Sequence, residues 1–152
     1  MMKVLFVCLG NICRSPLAEA IFNKKINHLT NRDLFQTDSC GTGNYNVGDL
    51  PDPRTVRVAF KNDVPIQHVA RQLSRQDIEY YDLVLVMDRH NLKSTLSLAE
   101  PHHHMKIKLV RSYDPLGQGD VPDPYYGDEK DFDDVFEILN RSIEKLVDEL
   151  AR

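Results

Sequence analysis

Residues 4–16, VLFVCLGNICRSP, constrain what this chain can fold into more than any other stretch. Four apolar residues, Val4-Leu5-Phe6-Val7, run up to Cys8 and stop, which is the pattern of a short, fully buried strand. Gly10 and Asn11 follow, the residue types that most readily take left-handed backbone angles, so a tight loop is predicted there. Ser15 suits a helix cap, and Pro16 suits the first helical position, where the missing N–H would have had no partner. The segment reads as strand, tight loop and helix N-terminus. A thiol stands where the loop begins and a guanidinium where it ends.

Loop N–H groups turned inward ahead of a helix N-terminus form a concavity for a tetrahedral anion. The nucleotide-binding loop shares this logic but ends in Gly-Lys-Ser/Thr, and no Lys stands here. Instead Arg14 follows Cys8 and offers a planar fork to two oxygens. A cysteine beside such amides, an Arg and a helix dipole is set up to act as a thiolate. These features point to Cys8 as a nucleophile toward phosphorus, forming a phosphocysteine. A bare C-x5-R would fit a strand-end cysteine before an ordinary turn equally well. The strand before it, the Gly-Asn pair within it and Arg-Ser-Pro after it favour the chemical reading.

Along the rest of the chain, a first helix is predicted from Pro16 to about Thr30, on the stripe Leu17, Ala20, Ile21, Lys24 and Ile26. Phe35 to Ser39 alternates as a second strand, and Cys40 to Pro53, rich in Gly, Asn, Asp and Pro, is a long loop of the kind that carries function. Arg54 to Asn62 is a predicted helix, and Ser74-Arg75-Gln76-Asp77 has the form of a capping box opening another. Leu83 to Met87 is a second buried strand, Asp88 caps the helix carrying Leu92, Leu96 and Leu98, and Lys106 to Val110 is the last strand. Arg111 to Asp131 is irregular. Phe132, Val135, Phe136, Leu139, Ile143, Leu146, Val147 and Leu150 then recur at helical spacing. Strands alternating with helices imply a parallel sheet covered on both faces and joined by right-handed crossovers, with ligands beyond the carboxyl ends of its strands.

A chain of 152 residues is expected to form one domain, residues 1–152, with one substantial core. No apolar run approaches membrane-spanning length, and the N-terminus lacks the layout of a signal peptide. Three cysteines, Cys8, Cys13 and Cys40, are too few for a secreted disulfide framework, so a reducing cytoplasm is expected. A net charge of −4 without a basic stripe excludes nonspecific nucleic-acid binding but not a phosphate substrate. His102-His103-His104 reads as solvated loop, and the three cysteines lack a fourth metal ligand, so neither metal nor cofactor is expected.

The string V-C-L-G-N-I-C-R-S-P resembles the active-site signature of the low-molecular-weight protein tyrosine phosphatases. The blocks DSCGTGNYNVGDLPDPR, HVARQ, VMDRHNL, SYDP and DPYYGD follow in that family's order. The resemblance implies a three-layer α/β/α sandwich with a four-stranded parallel sheet in the order 2-1-3-4. It implies metal-independent hydrolysis of phosphotyrosine in proteins, with inorganic phosphate and other oxyanions as inhibitors, by a monomer that binds neither nucleic acid nor membrane. Leu9, Gly10, Asn11, Ile12 and Cys13 would form the phosphate loop with Arg14. Ser15 would donate to the Cys8 sulfur, and Asn11, Ser39, His68 and Asp88 would brace the loop in its strained shape. Relatives selective for phosphoarginine tend to carry Thr where Ile12 stands, so Ile12 favours an aromatic ester. A thiol-redox arsenate reductase on the same scaffold would need a cysteine pair after the third strand, and residues 82–100 contain none.

A leaving phenolate needs a proton, so a loop carboxylic acid is expected. The residues leave Asp114, Asp120, Asp123 and Asp128 as candidates, and a following proline stiffens both Asp114 and Asp123. The resemblance selects Asp123, in Asp123-Pro124-Tyr125-Tyr126. Tyr45, Tyr125 and Tyr126 would wall an aromatic slot; loop aromatics serve equally often as lids over a core. The family's paired loop thiols form a reversible disulfide on oxidation, which would assign that role to Cys8 and Cys13. The segment 120–134 carries seven carboxylates against one Lys and reads as a solvated face with helix-start charge.

Overall fold

The computed structural model describes residues 1–152. Strands β1 (Met2–Cys8), β2 (Phe35–Gly41), β3 (Leu83–Val86) and β4 (Ile107–Leu109) form one parallel sheet in the order β2-β1-β3-β4. Cys8 pairs with Gly41 and Val7 with Val86, so the ends of β1 and β3 lie side by side where the strand order reverses.

The period-two alternation of β1 splits the core in two. Val4, Phe6 and Cys8 face the layer formed by α1 (Arg14–Ile26), α2 (Pro53–Lys61) and α5 (Glu129–Leu150), with Ile21, Phe22, Leu139 and Ile143. Leu5 and Val7 face the opposite layer with Ile78 of α3 (Arg75–Tyr80), and Leu92 and Leu96 of α4 (Arg89–Leu98) pack against it. Each fully buried Leu or Phe contributes roughly 1.5–3 kcal/mol by leaving water. Cys8 therefore ends a strand whose register is held by burial on both sides.

Most helix starts follow their sequence signals. Asp52 caps α2 ahead of Pro53, and Ser74 with Asp77 and Asp88 with Asn91 close capping boxes on α3 and α4. The start of α1 does not. It begins at Arg14, with Cys13 in the cap position and no side-chain cap, and it ends at Ile26 rather than near Thr30. Ser15 is inside the helix and its hydroxyl is turned to Cys8, while Pro16 still falls in the first turn, where a missing N–H costs nothing. The stripe also understated burial: α1 lies between sheet and α5, so Phe22 is enclosed as well.

The His102–His104 run lies in a short 3-10 turn, Pro101–Lys106, with His104 Nε2 placed 3.1 Å from the Leu96 carbonyl. No helix is long and apolar enough to cross a membrane.

Candidate active site

Residues 8–15 turn at the carboxyl edge of the sheet under a cleft of about 420 Å³. The left-handed residue is Asn11 (φ 59°), not Gly10. The β2–α2 loop lies over the turn and clamps it: Thr42 N–H donates to the Cys8 carbonyl (2.9 Å), Gly43 N–H to Leu9 (3.0 Å) and Asp52 N–H to Ile12 (2.8 Å). Gly41 is required at this crossing, because a Cβ there would sit 2.6 Å from the Leu9 carbonyl oxygen. These bonds occupy three carbonyls of the turn, those of Cys8, Leu9 and Ile12. The main-chain N–H groups of Leu9, Gly10, Ile12, Cys13, Arg14 and Ser15 have no acceptor within the protein. Six free donors around one turn form an anion cradle.

The hydrogen-bond directions at Asn11 follow from one fixed group. The Arg71 main-chain N–H can only donate, and it meets Asn11 Oδ1 at 3.0 Å. Asn11 Nδ2 must then donate to Ser15 Oγ (2.8 Å) and Ser39 Oγ (3.0 Å). Ser15 Oγ then lies 2.9 Å from Cys8 Sγ and 3.4 Å from the Cys40 carbonyl, and the Asn11 N–H donates to the sulfur at 3.3 Å. The sulfur thus lies against a main-chain N–H and a serine hydroxyl. Ser39 in turn directs its O–H to Glu19 Oε1 at 2.7 Å.

His68 Nε2 lies 2.7 Å from Asn11 Oδ1, which is an acceptor only, so that nitrogen carries the proton. Its Nδ1 is 3.3 Å from Glu19 Oε1. Burial holds the Glu19 carboxyl up at about 7, and burial lowers the His68 imidazole. Asn11, Ser15, Ser39 and His68 thus form the brace expected beneath the loop. Glu19 and Arg71 complete it and were not anticipated. For Glu19 a signal existed: it follows Ser15 by four residues, on the same helix face.

Arg14 is buried, and its Nη1 donates to Asp88 Oδ2 (2.7 Å) and the Val121 carbonyl (2.9 Å). Its Nε and Nη2 make no hydrogen bond, which leaves one edge of the fork for two oxygens. Asp88 thus both caps α4 and anchors Arg14.

The four acid candidates separate by what their carboxylates already hold. Burial alone would raise Asp114, but donors from Arg141, Leu116 and Arg111 overcome it and hold the group below its usual range. Asp128 caps α5, and Asp120 accepts from the Arg89 N–H at 3.1 Å. Asp123 lines the cleft with Oδ2 3.7 Å from Arg14 Nη2, and its Oδ1 accepts from the Tyr125 N–H. Tyr45, Tyr125 and Tyr126 border the same cleft, 77%, 42% and 96% exposed, so they stand as rims rather than as lids over the core.

Cys13 also opens on the cleft, but burial, aided by Asp52, pushes its thiol up to about 12. Burial likewise raises Cys40. All three cysteines are free. One cluster, Glu19, Asp38 and His68, has metal-compatible atoms, all within 4.8 Å of one another. Its members are committed to Ser39, Arg71 and Asn11, so they act as brace rather than as a ligand set.

A family model for low molecular weight phosphotyrosine protein phosphatase matches residues 3–152. The low molecular weight phosphotyrosine protein phosphatase of Rattus norvegicus is 43% identical over 137 residues, covering 89% of this chain and 87% of that protein. Among solved structures, the protein tyrosine phosphatase of Entamoeba histolytica, with Hepes in the active site, matches at a TM-score of 0.95 and 35% identity, covering 99% of this chain and 97% of that one. The arginine phosphatase YwlE, in a mutant form with a phosphorylated active site serine, matches at a TM-score of 0.86 and 26% identity, covering 98% and 95%. With sheet order, site geometry and sequence similarity in agreement along the whole chain, it belongs to the low molecular weight phosphotyrosine protein phosphatase family and is a hydrolase of that class.

Proposed function

We propose that this protein hydrolyses phosphotyrosine and related aryl phosphates in two steps through a phosphocysteine. The cradle amides and the free edge of Arg14 hold the phosphoryl oxygens above Cys8. The thiolate attacks phosphorus, the phosphorus–oxygen bond to the ring breaks, and Asp123 in its acid form gives its proton to the departing phenolate. Asp123, now a carboxylate, takes a proton from water as that water attacks the phosphocysteine. The sulfur–phosphorus bond breaks, releasing inorganic phosphate and restoring thiolate and acid. Free phosphate and other tetrahedral oxyanions inhibit by occupying the same cradle. The supporting observation is the sulfur itself: it accepts from the Asn11 N–H and lies 2.9 Å from the Ser15 hydroxyl, at the floor of a cleft lined by free amides and Arg14.

Ile12 and three tyrosines border the cleft, which suits an aromatic ring. Cys13 serves as a redox partner: peroxide oxidises Cys8 to the sulfenic acid, and Cys13 displaces hydroxide, released as water, to leave a disulfide that thiols reduce. Cytoplasmic reducing conditions suit three free cysteines.

The test is turnover of p-nitrophenyl phosphate and phosphotyrosine peptides without added metal. Cys8→Ser should abolish it, and Asp123→Ala should cost roughly 10²–10⁴-fold on the poorer leaving group. Full activity of Asp123→Ala would move the acid elsewhere. Equal thiol recovery of wild type and Cys13→Ser after peroxide would remove the redox role.

A further inference from the structure

The turn carrying Asp123 is fastened at its ends and nearly free between them. Val121 donates its N–H to the Met87 carbonyl at 2.8 Å, and Asp128 caps α5. Within residues 122–127 the hydrogen bonds are internal, Tyr125 N–H to Asp123 Oδ1 (3.1 Å) and Gly127 N–H to Pro124 (2.8 Å), with one exception. Arg54 of α2 donates Nη1 to the Gly127 carbonyl at 3.4 Å. Its guanidinium also lies 5.5 Å from the centre of the Tyr125 ring and 4.6 Å from that of Phe132, within range of an attraction between cation and ring.

The other edge of this guanidinium is fixed. Nε and Nη2 donate to the two Asp52 carboxylate oxygens at 3.0 and 2.8 Å, a fork that sets the plane of the group. Asp52 is buried, and its N–H holds the Ile12 carbonyl at 2.8 Å. Arg54 therefore bridges the nucleophile loop, through Asp52, to the acid turn, while making no hydrogen bond to Cys8, Asp123 or a cradle residue's side chain.

We infer that Arg54 is a positioning residue for the acid half of the reaction, holding the Asp123 turn and the Tyr125 wall at a set height above Cys8. The inference rests on Asp123 being the acid. Arg54→Met removes the charge and the fork, and Arg54→Lys keeps the charge without the fork or the second edge. The quantity to measure is kcat/KM, which reports the step that expels the leaving group. It is compared on phenyl phosphate, a poor leaving group, and p-nitrophenyl phosphate, a good one, alongside inhibition by inorganic phosphate.

Both variants should lose roughly 10- to 100-fold on phenyl phosphate, the scale of a misplaced catalytic group, and only a few-fold on p-nitrophenyl phosphate. Phosphate inhibition should not change, because the cradle is intact. In an Asp123→Ala background, Arg54→Met should add no more than the small loss seen on the good leaving group, since the two residues act as a unit. Equal losses on both substrates, weakened phosphate inhibition, an unchanged kcat/KM or full additivity with Asp123→Ala would each overturn the inference. A selective loss in Asp123→Ala with none in Arg54→Met would overturn this inference alone. If Asp123→Ala itself left phenyl phosphate turnover intact, the acid assignment would fall and the inference with it.

Discussion

The two loops that meet in the cleft are built on opposite principles. The Cys8 loop is held from beneath by buried side chains: Asn11 and Ser15 are at most 1% exposed, and Asn11 alone ties together Ser15, Ser39, His68 and Arg71. The Asp123 turn is exposed at Asp123, Tyr125 and Tyr126, and one arginine joins its interior to the rest of the chain by a hydrogen bond. A nucleophile under a phosphoryl group needs fixed donors, and buried hydrogen bonds supply them without reorganisation. A group that must deliver a proton and then admit water gains from access to solvent. Substitutions in the first loop should therefore lower stability and activity together, and those in the second should alter turnover with little effect on folding.

The largest effect should come from Asn11→Ala. It takes the acceptor from the Arg71 N–H and the nearer acceptor from His68 Nε2–H, removes the donor to both serine oxygens, and forces a φ of 59° on a residue with a Cβ and no local hydrogen bond. A loss of about 3–4 kcal/mol in denaturant unfolding is expected, with at least a roughly 10²-fold fall in kcat/KM. A stable, active Asn11→Ala would erase the contrast between the loops. Ser15→Ala comes next. It removes the hydroxyl that lies against the sulfur, and a hydrogen bond to a charged group is worth about 1.5–3 kcal/mol, so kcat/KM should fall roughly 10- to 100-fold. Unchanged turnover would mean that the Asn11 N–H suffices alone.

The same contrast explains how much of the molecule could be read in advance. The sheet was legible because Val4–Val7 and Leu83–Val86 are short apolar runs closed by polar residues, and burial on both faces leaves such strands little choice of register. Cys8 and Arg14 were legible because their spacing joins a strand end to a helix start. Asp114 and Asp123 could not be told apart by residue type, since both precede proline, and it is the three donors converging on Asp114 that separate them in the fold. Glu19 and Arg71 stayed hidden for a related reason. Their partners Ser39 and Asn11 are 20 and 60 residues away in the chain, so local spacing does not record these contacts, and the one local trace is the place of Glu19 four residues after Ser15 on the same helix face. A serine at a helix start suits a cap, but Ser15 lies inside α1, as its resemblance-based role beside Cys8 requires.

Glu19→Gln sharpens the comparison through pH. Burial first, then the Asp38 carboxylate, raise the Glu19 carboxyl from 4.5 to about 7, against the opposing Ser39 donor and Arg71. A raised folded value means that the stability contributed by the bound proton is complete below the unfolded value and is lost as pH rises through the folded one. Between pH 5 and pH 8 the wild type should lose roughly 2–3 kcal/mol from this group. Gln stays neutral and keeps an acceptor for the Ser39 O–H, so the variant should escape that loss, gaining Tm over wild type at pH 8 and differing little at pH 5. The lowered imidazole of His68 works in the other direction, contributing stability above its usual range that is lost as pH falls. Identical pH profiles for variant and wild type would mean that Glu19 titrates in the folded protein as it does in the unfolded chain.

The smallest effect belongs to the outermost residue of the exposed turn. Tyr126 is 96% exposed, and its ring meets Tyr125 edge to face, with centroids 4.9 Å apart. Because Tyr125 is also steadied by Arg54, Tyr126→Ala should leave the inner wall in place and remove only the outer lip. An exposed aromatic contact of this kind is worth about 0.5–1 kcal/mol, so KM for a phosphotyrosine peptide should rise roughly two- to fivefold. Neither kcat nor the melting temperature should change. The small ester p-nitrophenyl phosphate, which does not reach the lip, should be turned over as in the wild type. A fall in kcat would mean that the turn depends on this ring for its shape. Its exposure would then be the property of an open state, with a closed one formed on substrate.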